Sequence, residues 1–440
     1  MKNRSIIFTV ALAAALFVQA QPKVWTLDEC IDYATSHNID LRKKDLQVQK
    51  HEVSLNNSRN EWLPKVDGEF AERFSFGNYN STTGSMNGDT KGINNDLSYA
   101  TGKITASVNI FDGLKVKNDV LANRFSLEAA TADLEKARKD IGIKIAVQYL
   151  QCLYERSMIA ESQQQVELSQ QMLQRAQIRV DEGKRPMSEL KDMEAQLAND
   201  EYKFVNAQGN FTLELTKLSQ LINLPSIDGF DIADIDETAE ETPAINHDFI
   251  VNNWPSIVSA KALIESSKAK VKVARAGYYP ILYFEGHVST FYANFFHYNS
   301  GWGDFFHQYF NNNINEVIGL HLKVPIFNRF ETRNKIRTAK LDVLNQRLAL
   351  EDAQMKLRQD IQTAETNAVV ARQKLEAAKK SADASTVSLS YEQERFDAGK
   401  SSIFDVMQAR QKNEKARQDA IQAKYELMIR QRILKFYSTL

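Results

Sequence analysis

Histidine and cysteine are the residues of this 440-residue chain best suited to hold a metal or attack a substrate, and their placement supports neither chemistry. His37, His51, His247, His287, His297, His307 and His321 are scattered, and no two stand at metal-ligand spacing within a helical pattern. No phosphate-cradling glycine loop, nucleophile elbow or Cys–His arrangement appears. No catalytic role, metal or cofactor is therefore expected. Cys30 and Cys152 each fall in a helical apolar pattern. They are expected as small buried hydrophobes rather than as a disulfide, although export would permit one. A net charge of -1 leaves no electrostatic footprint for nucleic acid.

Lys2 and Arg4 precede an apolar run from Ile6 to Phe17, and Val18-Gln19-Ala20 offers small residues for cleavage. Residues 1–20 read as a secretory signal, the run being short for a spanning helix. No cysteine follows the expected cleavage site, and no later apolar stretch approaches the roughly 18 residues of a membrane helix. Membrane insertion, if any, must use strands.

The elements that would position any functional residue occur twice. Trp62-Leu63-Pro64 recurs as Tyr278-Tyr279-Pro280, Ile110-Phe111-Asp112-Gly113 as Ile326-Phe327-Asn328-Arg329, and Asp181-Glu182-Gly183-Lys184 as Asp397-Ala398-Gly399-Lys400. All share an offset of about 216 positions, far beyond solenoid periods of roughly 20–50. The expected organisation is a signal peptide (1–20), a first repeat (21–224), an acidic linker (225–246) and a second repeat (247–440).

Residues 330–398 contain neither glycine nor proline, enough for a helix of about 100 Å. Ile336, Val343, Leu350 and Leu357 step in sevens; Ile361, Ala368, Leu375, Ala382, Leu389 and Phe396 resume after a four-residue stutter. The first repeat does the same through Val120, Leu127, Leu134 and Ile141, then Ile145, Cys152, Ile159, Val166, Leu173 and Val180. A second seam at Leu341, Leu348 and Met355 is rotated by roughly 150° from the first, as suits a helix in a hollow wall with a neighbour on either side. Gly183 and Gly399 read as hairpin tips, with Pro186 just inside the next helix and returning helices over about 184–224 and 401–436.

Between about 65 and 111, and again between about 281 and 327, the period changes to two. Val66, Phe70, Phe74, Ile104, Val108, Leu282, Phe284, Val288, Leu320 and Leu322 are all even-numbered, facing odd-numbered polar partners; Glu72 breaks the rule. Alternation alone also fits a half-buried soluble sheet. Aromatics at the strand ends, among them Tyr278, Tyr279, Phe291, Tyr292, Phe295 and Phe296, together with the export signal, favour an outer-membrane barrel. Loops at about 78–97 and 299–313, the second with Trp302, Phe305 and Phe306, suit the outer rim. Four strands cannot close around a channel, and a spanning sheet with free edges is not viable, so several chains must pool their strands.

Leu27-Asp28-Glu29-Cys30-Ile31-Asp32-Tyr33-Ala34 before Asn38, Trp62-Leu63-Pro64, Ala274-Arg275-Ala276-Gly277-Tyr278-Tyr279-Pro280 and the paired tips carry a resemblance. Over about residues 25–436 the chain resembles the TolC-like outer-membrane efflux proteins. The resemblance implies a mainly α fold with a membrane β part. A homotrimer would pool a 12-stranded outer-membrane β-barrel and a long coiled-coil α-helical barrel across the periplasm. It also implies a passive exit duct for a tripartite efflux pump or type I secretion system in a Gram-negative outer membrane. Its partners would be a periplasmic adaptor, an inner-membrane pump of RND or ABC type, and outer-membrane lipid. An acidic aperture is implied at Asp405 and Gln408, with Glu189 and Asp192 as first-repeat equivalents. Adaptor docking is implied at Val180, Gly183, Lys184, Arg185, Phe396, Gly399, Lys400 and Ser401. An arginine–tyrosine tie of the closed state is replaced here by Ser401 and Phe396, with Arg185, Lys184 or Lys400 as substitutes. A periplasmic adaptor with helical hairpins is the alternative; two hairpins and two strand pairs argue against it.

Overall fold

The computed structural model describes residues 24–76, 78–79, 93–94, 97–235, 247–295 and 303–438. The expected signal peptide, Phe296, His297, Trp302 and the acidic residues after 235 lie outside them. The chain divides into two compact units, Met1–Val48 with Ala130–Ser259 and Leu350–Leu440, and Gln49–Ala129 with Ala260–Ala349.

The strands are β1 (Val24–Trp25), β2 (Lys65–Ser75), β3 (Asn78–Tyr79), β4 (Ile93–Asn94), β5 (Leu97–Phe111), β6 (Asp231–Ile232), β7 (Ile281–Phe295) and β8 (Asn315–Lys323). The helices are α1 (Leu27–His37), α2 (Ile39–Asn60), α3 (Lys115–Asp181), α4 (Met187–Ile222), α5 (His247–Asn253), α6 (Pro255–Ala276), α7 (Gly303–His307), α8 (Glu331–Asp397) and α9 (Ile403–Ser438). The duplication is kept to the residue. α3 and α8 are both 67 residues long, α4 and α9 both 36, and α2 and α6 both 22. Backbone conformation is copied as well. Gly113-Leu114 leaves β5 with positive φ at both residues, and Arg329-Phe330 does so before α8 without a glycine.

In the second unit β2, β5, β7 and β8 form one antiparallel sheet in that order, each strand joined to its sequential neighbour. Val66 pairs with Ala106, Ile104 with Val288 and Leu282 with Leu322, so even-numbered residues share one face on all four strands. Most of that face is bare within the chain: Val66, Phe70, Phe74, Ile104, Val288, Ile318, Leu320 and Leu322 are exposed, while Ala100 and Tyr292 at one end of it are buried. A bulge between Asn109 and Phe111 shifts the register by one and passes the apolar face from even to odd numbering at Phe111. Part of the expected 299–313 loop is helical. After α7, Gln308–Asn312 forms a π turn, and Tyr309 and Phe305 stack with their centroids 5.3 Å apart. Aromatic contacts and the bond from Thr290 Oγ1 to the Tyr309 carbonyl (2.5 Å) hold this segment on β7.

In the first unit the core gathers Cys30, Ala34, Ile145, Tyr149, Cys152, Leu218, Ile222 and Ile232. Both cysteines are buried, as read from the sequence, and neither is in a disulfide. Burial pushes the Cys152 thiol up to about 12, so it stays protonated and behaves as a small apolar group. The start of the expected acidic linker is not simply solvated. Phe230 and Ile232 are buried, β6 pairs in parallel with β1, and Tyr149 Oη donates to the carbonyls of Trp25 (2.9 Å) and Ala233 (2.6 Å). Alternation of Phe230 and Ile232 with acidic residues is the pattern of a half-buried strand, which charge alone conceals.

All ten seam positions of α8 are buried or half-buried, from Ile336 to Phe396. The second seam, Leu341, Leu348 and Met355, is exposed. Among the described residues, no helix is long and apolar enough to cross a membrane.

Candidate functional site

The hairpin ends place most of the sequence-predicted site residues together, all within the first unit. Gly183 and Gly399 have φ of +71° and +73°, the left-handed conformation that ends a helix at little cost only for glycine. Each is bonded alike: Gly183 N to Val180 O at 2.8 Å and Lys184 N to Arg179 O at 2.8 Å, then Gly399 N to Phe396 O at 3.0 Å and Lys400 N to Arg395 O at 2.8 Å. This paired pattern satisfies two orphan carbonyls at each helix end.

The helices that follow start differently. Pro186 is the cap of α4 rather than its first helical residue, with φ -76° and ψ 154° and no side-chain cap bond. At the matching position of α9, Ser402 and Asp405 form a reciprocal box. Asp405 N donates to Ser402 Oγ (3.2 Å), while Ser402 N (3.0 Å) and Oγ (2.7 Å) donate to Asp405 Oδ2. The Ser402 hydroxyl and then its amide hold the exposed Asp405 carboxyl below the usual aspartate value. Proline has neither hydroxyl nor N–H, so Glu189, the counterpart of Asp405, has no such box. It turns inward instead, only 6 % exposed, with Arg185 Nε at 3.8 Å. Asp192, one turn on, is exposed, as is Gln408. Glu189 and Asp192 therefore do not form an acidic pair on one surface.

Between the two ends lies a cavity of about 290 Å³ lined by Met172, Met193, Phe396, Ile403 and Val406, with Glu189 and Arg179 among its polar walls. Its aromatic wall is clasped by cations from the other tip. The guanidinium of Arg185 lies 4.8 Å from the centroid of the Phe396 ring and that of Arg179 5.3 Å from it. Arg179 Nη2 also donates to Asp397 Oδ1 at 2.7 Å. Of the residues expected as substitutes in a tie, Arg185 lies over the Phe396 ring and Lys184 turns to Glu182 (2.8 Å). No contact places Lys400 in the tie. Ser401 Oγ is buried without a partner, and Val180 is half-buried against the cluster of Ala176, Leu190 and Met193. Arg179 and Asp397 were not singled out from the sequence. The available signal was a cation-rich first tip opposite an aromatic–acid pair at the end of the Ile336–Phe396 seam. Among the described residues, no group of three His, Cys, Asp or Glu side chains is placed to hold a metal.

The family model "Outer membrane efflux protein" matches residues 30–224 and 250–438. The chain belongs to this family. An outer membrane efflux protein is a passive duct rather than an enzyme. Family membership places it in the outer membrane. No curated protein matches it by sequence. Solved structures match by fold. The Campylobacter jejuni CmeC outer membrane channel has a TM-score of 0.77 at 19% identity, over 94% of this chain and 85% of its own. The open state of the Neisseria gonorrhoeae MtrE outer membrane channel has 0.72 at 20%, over 94% and 88%. CusC, described in terms of conformational changes accompanying folding and transmembrane channel formation, has 0.77 at 16%, over 96% and 92%.

Proposed function

We propose that three copies of this outer membrane efflux protein close into one trans-periplasmic duct whose hairpin ends form a gate. A periplasmic adaptor and an inner-membrane pump of RND or ABC type open it. The observation that carries the reading is the four-stranded sheet with an apolar even-numbered face and two unpaired edge strands, β2 and β8. Neither edge is viable alone in a bilayer, and pairing β8 of one copy with β2 of the next satisfies both. The bare seam of α8 supplies a matching helix face for a neighbour. A heat-modifiable band at three times the chain mass, from outer-membrane fractions, is expected. A species that stays monomeric in mild detergent refutes the assembly.

The tips, from Val180 to Arg185 and from Phe396 to Ser402, dock the adaptor. Cysteines placed there should cross-link to it in cells expressing the pump, and failure to capture it removes this reading. Asp405 projects its charge at the mouth together with Gln408, while buried Glu189 supports the wall behind. Three Asp405 carboxylates around the axis favour cations. Asp405→Ala should lower cation selectivity in planar bilayers; an unchanged selectivity ratio rejects the assignment. The cargo follows the pump, so deleting the gene and profiling susceptibility identifies its class.

A further inference from the structure

A second polar site lies within the first unit, farther along the helices, where α3, α4 and α9 meet. Asp200 of α4 is 0 % exposed and Arg410 of α9 is 4 % exposed. Arg410 Nη2 lies 2.7 Å from Asp200 Oδ2 and donates to the Gln165 carbonyl of α3 at 2.9 Å. Ser169 Oγ donates to the same Asp200 oxygen at 2.5 Å, and Gln196 Nε2 reaches both carboxylate oxygens at 3.0 and 3.1 Å. Lys203 Nζ sits 3.6 Å from Asp200 Oδ1 and 2.7 Å from Glu414 Oε1. The charge at the centre is thus fully partnered by three helices.

A layer of this kind adds little stability over an apolar core of equal volume, but breaking it by moving one helix leaves an uncompensated buried charge. Its best-attested use is to fix register. The layer is built once per chain. At the matching places of the second repeat, Ser169 becomes Ser385 and Asp200 becomes Ala416, and Asn413 Nδ2 bonds Ser385 Oγ at 3.1 Å instead. Arg410 itself matches Glu194, which is exposed and bonded to Lys191. The clasp at the tips is of a looser kind, since Arg179 is half-buried and Asp397 exposed, and pairs that water reaches part at smaller cost.

We propose that the Asp200–Arg410 layer is a fixed pivot, a positioning pair that holds the first hairpin to the return helix of the second while the ends beyond it separate. The inference rests on reading the hairpin ends as a gate. It is tested with two reducible cross-links in cells carrying the pump and adaptor. Ser157→Cys with Tyr425→Cys joins α3 to α9 on the side of the layer away from the tips, where the two hydroxyls now lie 2.7 Å apart. Arg179→Cys with Asp397→Cys joins the tips. The tip link should cut efflux on the order of tenfold and release it on reduction. The other link should leave efflux essentially unchanged. If both stop efflux alike, the pivot is overturned and the gate stands; if neither does, the gate reading falls and the pivot with it. As a further arm, Asp200→Leu with Arg410→Met keeps the volume without the charges. In trimers that reach the outer membrane, it should raise adaptor-free conductance severalfold, and an unchanged conductance counts against the pivot.

Discussion

The two hairpin ends of this outer membrane efflux protein share backbone and differ in chemistry. Both close through a glycine at φ near +70° with the same pair of amide bonds, and both launch a 36-residue helix. At the cap one carries Pro186 and the other Ser402. That single difference decides what the acid three residues later does. Asp405 is held at the surface by the serine it caps, while Glu189 is released to sink beside Arg185. Equivalent position in a duplicated fold therefore does not mean equivalent electrostatics. The local hydrogen-bond partner assigns the charge to water or to the wall.

The comparison can be broken or sharpened by substitutions made at matching places. The largest effect belongs to the polar layer built once per chain around Asp200 and Arg410. Asp200→Asn should destabilise the protein by about 3–5 kcal/mol by stranding Arg410, whereas Glu194→Ala, at the position matching Arg410, should stay within about 0.5 kcal/mol. Thermal unfolding of the purified channel separates them. Next come Gly183→Ala and Gly399→Ala, which force a left-handed alanine into open space and should each cost about 1–2 kcal/mol. Clearly unequal losses in unfolding temperature would show that the tips are not copies in energy.

A smaller asymmetry is expected at the caps. Ser402→Ala should cost about 1 kcal/mol in chemical denaturation, and Pro186→Ala much less, because no side-chain cap is lost there. The smallest effect is in pH. Because the folded-state pKa of Asp405 is depressed, its contribution is present above the unfolded-state value of about 3.9 and disappears as pH falls through the lower folded value. An acid titration of stability for Asp405→Asn should converge with wild type in that range.

Periodic features were legible from the sequence because they repeat often enough to outvote exceptions. The seam from Ile336 to Phe396, the even-numbered sheet face and the two tip glycines all stand where the pattern places them. Single events were not legible. The bulge at Asn109/Phe111 is one residue in one strand and leaves no periodic trace, and the alternation around the short β6 does not name its partner about 200 positions away. Pro186 as a cap rather than a first helical residue is a one-position distinction set by its ψ of 154°. Asp200 and Arg410 were harder still. A lone acid and a lone base 210 residues apart read as surface charge until three helices bring them together.

The free edges of the sheet also bear on how the channel is made. β2 and β8 are different strands, so in the proposed assembly copies would add head to tail and every addition would renew both exposed ends until the ring closes. A closed ring buries its last two edges at once, while an open ribbon one copy short or long keeps a pair bare. Assembly should then depend steeply on local concentration, and the hazardous species is the incomplete ribbon rather than the monomer or the finished channel. Export that delivers chains in bursts to one membrane site would shorten its lifetime, and slow supply would lengthen the interval in which unpaired strands meet the wrong neighbour.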